Sequence, residues 1–244
     1  MEPVPDPIHT PQLIRSRVDV LLARLREAAE AAGRDPSGFR LVAVTKGFGV
    51  PVVRAAREAG LALFGENRVR EAVDKVAAVA DAEWHMIGHL QSNKARAALQ
   101  LFSAIHSVDS LPLLRRLERL AHDEGRQPTL LLQVNVSREP AKAGFDIDWF
   151  AAEAGHPGEL VTSLRELRHA RVAGLMTMAA FGIPPEEQRR TFATLRELRD
   201  RLEDTLGAPL PELSMGMTAD AEAAVAEGAT LVRVGTAIFG HRPR

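Results

Sequence analysis

Leu41–Phe64 reads "LVAVTKGFGVPVVRAAREAGLALF". Its first five residues, Leu41–Thr45, form a continuous run of strand-forming residues, with Lys46 directly after them. Two glycines follow, and then a segment with Val52, Val53 and Ala56 at helical spacing that Gly60 closes. A second short apolar run, Ala62–Phe64, comes next. Strands apolar on both faces belong to a parallel sheet covered by helices, and parallel neighbours need a helical crossover of this kind.

The unit repeats. Further strands are predicted at Trp84–Gly88, Ala104–Val108, Thr129–Val136, Arg171–Met178, Glu212–Gly216 and Thr230–Gly235, with helix-like segments between them. Eight strand–helix units in 244 residues predict a single α/β domain, a (β/α)8 TIM barrel spanning 1–244. An open doubly wound sheet fits less well, because "TKGFGV" lacks the GxGxxG form. An extra N-terminal helix is expected over Leu13–Ala32, from Ile14, Val18, Leu21, Leu22 and Leu25. The proline-rich residues 1–12 predict a flexible tail, and residues 146–170 leave room for an extra helix or a loop.

Composition narrows the function. With Lys+Arg 31 against Asp+Glu 32 and no basic run interleaved with aromatics, nucleic acid is not an expected partner. No apolar run approaches membrane-span length, and the N-terminus lacks the basic and apolar regions of a secretory signal. Cys 0 removes disulfides, thiol nucleophiles and Cys–Zn sites. A soluble, cytoplasmic protein is expected.

Barrel chemistry sits where strands end. There the chain carries Lys46, "GEN" (Gly65–Asn67), "GHLQSNK" (Gly88–Lys94), "SMGMTAD" (Ser214–Asp220) and "GTAIFG" (Gly235–Gly240). Gly235 and Thr236, between a strand and a helix, suit a phosphate held by free N–H groups, with Ser214 and Gly216 placed to complete that cup and Arg233 to add charge or reach a neighbouring ring. A lysine amine is neutral only about once in a few thousand at pH 7 and attacks carbonyls only when neutral. Desolvation at a barrel mouth favours the neutral form, which is the setting of Schiff-base lysines. A lysine facing a phosphate cup suits pyridoxal 5'-phosphate or a phosphosugar. His85 and His89, spaced i, i+4 without the HExxH glutamate, read as core or loop histidines, and no metal site is expected. His106 reads as a half-buried strand residue; Glu66 and Asp109 as helix caps or partners of loop amides, with acid–base groups as the alternative; and Lys142 as a solvated loop charge, with a second amine or phosphate contact as the alternative.

The stretches "LVAVTK", "FGENRVREA", "WHMIGHLQSNK", "HSVDS", "QVNVSREPAKAGF", "GLMTM", "LSMGMTADAEAAVAEGAT" and "VRVGTAIFG" together resemble the pyridoxal 5'-phosphate homeostasis proteins, from Leu41 to Gly240. That family resembles the barrel domain of bacterial alanine racemases. The resemblance implies vitamin B6 cofactor held as an imine on Lys46, with Ser214, Gly216, Arg233, Gly235 and Thr236 at its phosphate and Asn67 beside it. Arg233 is left to meet either the phosphate or the pyridine nitrogen. Gly47 and Gly49 stand where the family often has a bulkier residue and then a proline, which adds backbone freedom beside the imine; Arg70 stands where Gln is common.

The resemblance implies a carrier or regulator of the cofactor without catalytic turnover and with no catalytic residue; a monomer is expected, with apo pyridoxal-phosphate enzymes as recipients. Independently, alanine racemase needs a tyrosine as second base, and this chain has Tyr 0. The alternatives are a pyridoxal-phosphate amino-acid enzyme such as a racemase, and a phosphosugar aldolase whose imine forms with substrate.

Overall fold

Alternation along the strands builds two concentric layers, as the computed structural model, which describes residues 8–241, makes plain. In β1 (Arg40–Val44), Val42 turns into the barrel and Ala43 out toward the helices. Leu63 and Phe64 divide in the same way in β2 (Leu63–Glu66), as do Leu131 and Leu130 in β5 (Thr129–Asn135). Met176 and Leu175 do so in β7 (Arg171–Met176), and Leu231 and Val232 in β9 (Leu231–Val234). With β3 (Glu83–Met86), β4 (Ala104–Val108) and β8 (Glu212–Ser214) these strands close a parallel ring, in which β9 pairs with β1 and Ala43 lies opposite Val234. The eight-stranded barrel is the predicted one. A ninth strand, β6 (Phe145–Asp146), pairs with the end of β5 outside the ring. It is too short to carry a periodic signal.

The crossovers are α2 (Val50–Glu58), α3 (Val69–Ala78), α4 (Ala95–Leu101), α5 (Leu111–Asp123), α8 (Pro185–Leu206) and α9 (Ala221–Ala226). Between β6 and β7 the chain forms two helices, α6 (Ile147–Ala154) and α7 (Glu159–Arg165). The break falls at "GHPG", Gly155–Gly158, where proline and glycine interrupt the helix.

The last helix, α10 (Thr236–Phe239), is a single turn. The extra N-terminal helix α1 (Pro11–Ala31) packs beside it, against α2, α9 and α10, burying Ile14, Leu21, Leu25 and Ala29. Residues 9–12, expected as part of the tail, are instead built into the fold. Thr10 caps α1 by accepting from the Leu13 N–H at 3.3 Å, and Pro11 pre-sets its first turn. His9 is buried, its Nε2 donating to the Phe239 carbonyl at 2.7 Å. Residues 1–7 lie outside the described part of the chain. Among the described residues no helix is long and apolar enough to cross a membrane.

Several predicted strands run past the observed ladders, through Thr45, Gly88, Met178 and Gly216. Those residues leave the sheet at its C-terminal end, where the barrel mouth opens.

Candidate functional site

Lys46 occupies a corner of a tight turn. The Phe48 N–H closes it on the Thr45 carbonyl at 3.1 Å. Gly47, the third residue, takes φ +78°, as a type II turn demands. Gly47 is thus required by the turn rather than loosening it, and its N–H meets Glu71 Oε2 at 3.3 Å.

The turn is held from behind. Thr45 points away from the barrel interior and donates its hydroxyl to Glu66 Oε1 at 2.6 Å. Lys75 of α3 donates to the same carboxylate oxygen at 2.6 Å and to the Thr45 carbonyl at 2.8 Å. All three are buried. Burial pushes the Glu66 carboxyl above the usual carboxylate range, opposed by the hydrogen bonds from Lys75 and Thr45. Glu66 is therefore neither a helix cap nor a partner of loop amides. Sequence reading passed over Lys75, although a signal was there: it follows Val69 and Ala72 at intervals of three, on the buried face of α3.

A cavity of about 780 Å³ opens at the mouth. Its lining includes Lys46, Phe48 and Asn67, together with Arg233, Gly235 and Thr236, and the β1–β9 pairing brings the Lys46 and Gly235 strand ends side by side. Asn67 comes close because residue 88 is glycine: a Cβ there would lie 2.4 Å from the Asn67 carbonyl oxygen. At the end of β9, no protein group among the described residues accepts from the N–H groups of Gly235, Thr236 or Ala237. Below them Arg233 is buried, donating Nη1 to Ser214 Oγ at 2.7 Å and Nη2 to the Thr177 carbonyl at 3.0 Å. Burial lowers its pKa to about 10, with Asp220 opposing, so it stays charged at neutral pH. The cavity thus brings together an amine, a cation and a cluster of unaccepted N–H donors, with apolar wall from Val44, Phe48 and Met178. It can hold an anion and present an amine to an electrophilic carbon of the same ligand.

Of the seven residues the sequence pointed to, five line this cavity: Lys46, Asn67, Arg233, Gly235 and Thr236. Ser214 and Gly216 stand behind its wall. The Ser214 hydroxyl is engaged by Arg233 and His106, and the Gly216 carbonyl accepts the Arg233 N–H at 3.0 Å. Lys142 is not a solvated loop charge: it donates to the Ala179 carbonyl at 2.9 Å and pairs with Glu139 at 2.7 Å, tying two rim loops together. His85 is buried, His106 is fully rather than half-buried, and His89 meets Asp109 at 3.0 Å on the surface. A second cavity of about 600 Å³ lies beyond Asn67, lined by Arg70, His89 and Lys94. It holds neither Lys46 nor the unaccepted N–H cluster.

Residues 17–243 match the family model described as alanine racemase, N-terminal domain. The chain is 44% identical over 232 residues to a pyridoxal phosphate homeostasis protein of Pseudomonas aeruginosa, covering 94% of this chain and 96% of that one. Among solved structures it resembles PipY of Synechococcus elongatus with pyridoxal phosphate bound, at 41% identity and TM-score 0.77, covering 88% of this chain and all of that one. An alanine racemase of Clostridium difficile superimposes with TM-score 0.69 at 14% identity, covering 91% of this chain and 60% of that one; that likeness is one of fold.

Proposed function

We propose, from the fact that this chain belongs to the pyridoxal phosphate homeostasis proteins within the alanine racemase N-terminal-domain family, that it holds pyridoxal 5'-phosphate on Lys46 and serves the balance of that cofactor without turning over a substrate. The observation that carries this reading is the single cavity that Lys46 shares with Arg233 and with the unaccepted N–H groups of the Gly235–Ala237 turn. Those donors and that cation fit a phosphate, and the apolar wall fits a planar ring. When bound, the cofactor supplies an aldehyde that condenses with an amine to a Schiff base, with loss of water.

The chain's own residues divide the work. Lys46 contributes the amine, and its turn fixes where that nitrogen starts. The Gly235–Ala237 turn binds the phosphate, with the Arg233 charge beneath it, and Asn67 borders the ring. Ser214 and Gly216 support Arg233 from behind. The absence of turnover is supported by the names of the relatives and by a sequence with Tyr 0, which offers no tyrosine as a second base. A carrier role makes apo pyridoxal-phosphate enzymes the recipients.

The deciding experiment is a visible spectrum of the protein with pyridoxal 5'-phosphate, before and after borohydride, followed by peptide mapping. The expected result is a yellow protein and a pyridoxyl adduct on Lys46. An unchanged imine band in Lys46→Ala defeats the site assignment. Racemisation or other turnover of an amino acid, seen by chiral analysis, replaces the carrier with an enzyme.

A further inference from the structure

Five hydrogen bonds run in series through the barrel. At the end away from the cavity, Glu83 Oε1 lies 2.7 Å from His85 Nε2. His85 Nδ1 lies 2.9 Å from His106 Nε2, and His106 Nδ1 lies 2.8 Å from Ser214 Oγ. Ser214 Oγ receives Arg233 Nη1 at 2.7 Å, and Arg233 Nη2 ends the series on the Thr177 carbonyl at 3.0 Å. His85, His106, Ser214 and Arg233 are buried, whereas the Glu83 side chain is 43% exposed and lies beside Arg40. The apolar part of the interior is Val42, Leu63, Leu131, Met176 and Leu231, so this is a polar thread in a hydrophobic tube.

Donor and acceptor chemistry gives the thread a direction. A guanidinium only donates and an ionised carboxylate only accepts. Burial foremost, with the Arg233 charge close by, holds His106 well below the ordinary histidine range, so it is neutral with one bare nitrogen. The Glu83 carboxyl is lowered, chiefly by its hydrogen bond with His85, so it is ionised at neutral pH. Suppose His106 carried its proton on Nδ1. Ser214 Oγ would then accept from both Arg233 and His106 and have no acceptor for its own proton, and a His85 with a single proton, on Nδ1, would turn a lone pair on the carboxylate at 2.7 Å. The opposite order satisfies every atom. Arg233 donates to Ser214, Ser214 to His106 Nδ1, His106 Nε2–H to His85 Nδ1, and His85 Nε2–H to Glu83.

We propose that Glu83, His85 and His106 are positioning residues for the cavity floor: the carboxylate at the far end of the barrel fixes both imidazole tautomers, which fix the Ser214 hydroxyl and, through it, the Arg233 guanidinium. The effect on cofactor binding rests on the reading of the cavity given above; the tautomer order does not.

The test begins with cofactor-free protein carrying 15N-labelled histidine. Long-range 1H–15N correlations near neutral pH are expected to show the Nε2–H tautomer at both His85 and His106. An Nδ1–H tautomer at either, or a doubly protonated His85, overturns the proposal. Glu83→Ala, at a half-exposed position, is expected to mix the His85 tautomers and weaken pyridoxal 5'-phosphate binding about three- to tenfold. Glu83→Gln, whose amide oxygen still accepts, is expected to restore both. Unchanged tautomers and affinity in Glu83→Ala also overturn it. At His106, asparagine keeps an acceptor for Ser214 and leucine does not, so His106→Asn is expected to bind more tightly than His106→Leu. Equal losses would mean that packing alone matters there and would count against the proposal. A wild-type chain with the expected tautomers that took up no cofactor would sink the cofactor reading and leave the tautomer order standing.

Discussion

Lys75 Nζ donates to the Thr45 carbonyl at 2.8 Å, one residue before Lys46. The same ammonium neutralises Glu66 at 2.6 Å, so a single buried cation supports both the β2 carboxylate and the turn that carries the amine. Removing it strands a buried carboxyl. Lys75→Met is expected to cost about 3–5 kcal/mol. The double variant Glu66→Leu/Lys75→Met, which removes both charges, is expected to recover most of that loss. Urea unfolding of the cofactor-free proteins measures both, and a Lys75→Met variant within about 1 kcal/mol of the parent would contradict the assignment.

Gly47 is tested by adding one methyl group. At φ +78° an alanine pays the left-handed penalty, so Gly47→Ala is expected to lower stability by about 1 kcal/mol. Because the strain falls next to Lys46, the rate of borohydride-trapped pyridoxyl labelling at that lysine should drop as well. Gly49→Ala, at φ -83°, should alter neither by a comparable amount.

Arg233→Lys keeps a positive charge but loses the fork that grips Ser214 and Thr177 together. The loss of a charge-assisted contact at the floor is expected to raise the dissociation constant for pyridoxal 5'-phosphate about ten- to a hundredfold. An absorbance titration reads this directly. Parent-like affinity would remove Arg233 from the proposed site.

Stability should respond to pH through His106. Its pKa is depressed in the folded chain, so below about 6.5 the unfolded chain takes up a proton that the folded chain refuses. The fold therefore weakens as pH falls through that range, by at most about 1.4 kcal/mol per pH unit from this one group. Glu66 works the other way. Its raised pKa means that the folded chain binds the extra proton, so acid relieves that group's burial cost between its unfolded and folded values. Chemical denaturation of the cofactor-free protein between pH 5 and 7 should show the histidine slope, and His106→Asn should flatten it. A slope that persists unchanged in that variant would assign the effect elsewhere.

The barrel was legible because parallel strands enclosed by helices read as short apolar runs between turn residues, and runs such as Ala104–Val108 coincide with the observed strand. Lys46, Gly235 and Thr236 were legible for a related reason, since they directly follow strands and the mouth of a barrel collects such residues. What sequence could not give was register across strands. His85 lies opposite Ala104, so nothing along the chain announces that its ring meets the ring of His106, or that Ser214 of β8 reaches that same imidazole from across the tube. Lys75 escaped for a different reason. A lysine in a helix is read as solvated, and only its place on the Val69–Ala72 stripe, opposite the buried Glu66, makes it an interior ion.

The pairing of β1 with β9 carries one more consequence. The amine follows the first strand and the N–H turn follows the last, and the two become neighbours only when Ala43 meets Val234. If one ligand takes both the amine and the N–H turn, as proposed above, a chain still emerging from synthesis owns only half of that site. Capture of that ligand would then fasten the two edges of the sheet together, and its release would leave the seam to hold by its own ladder alone.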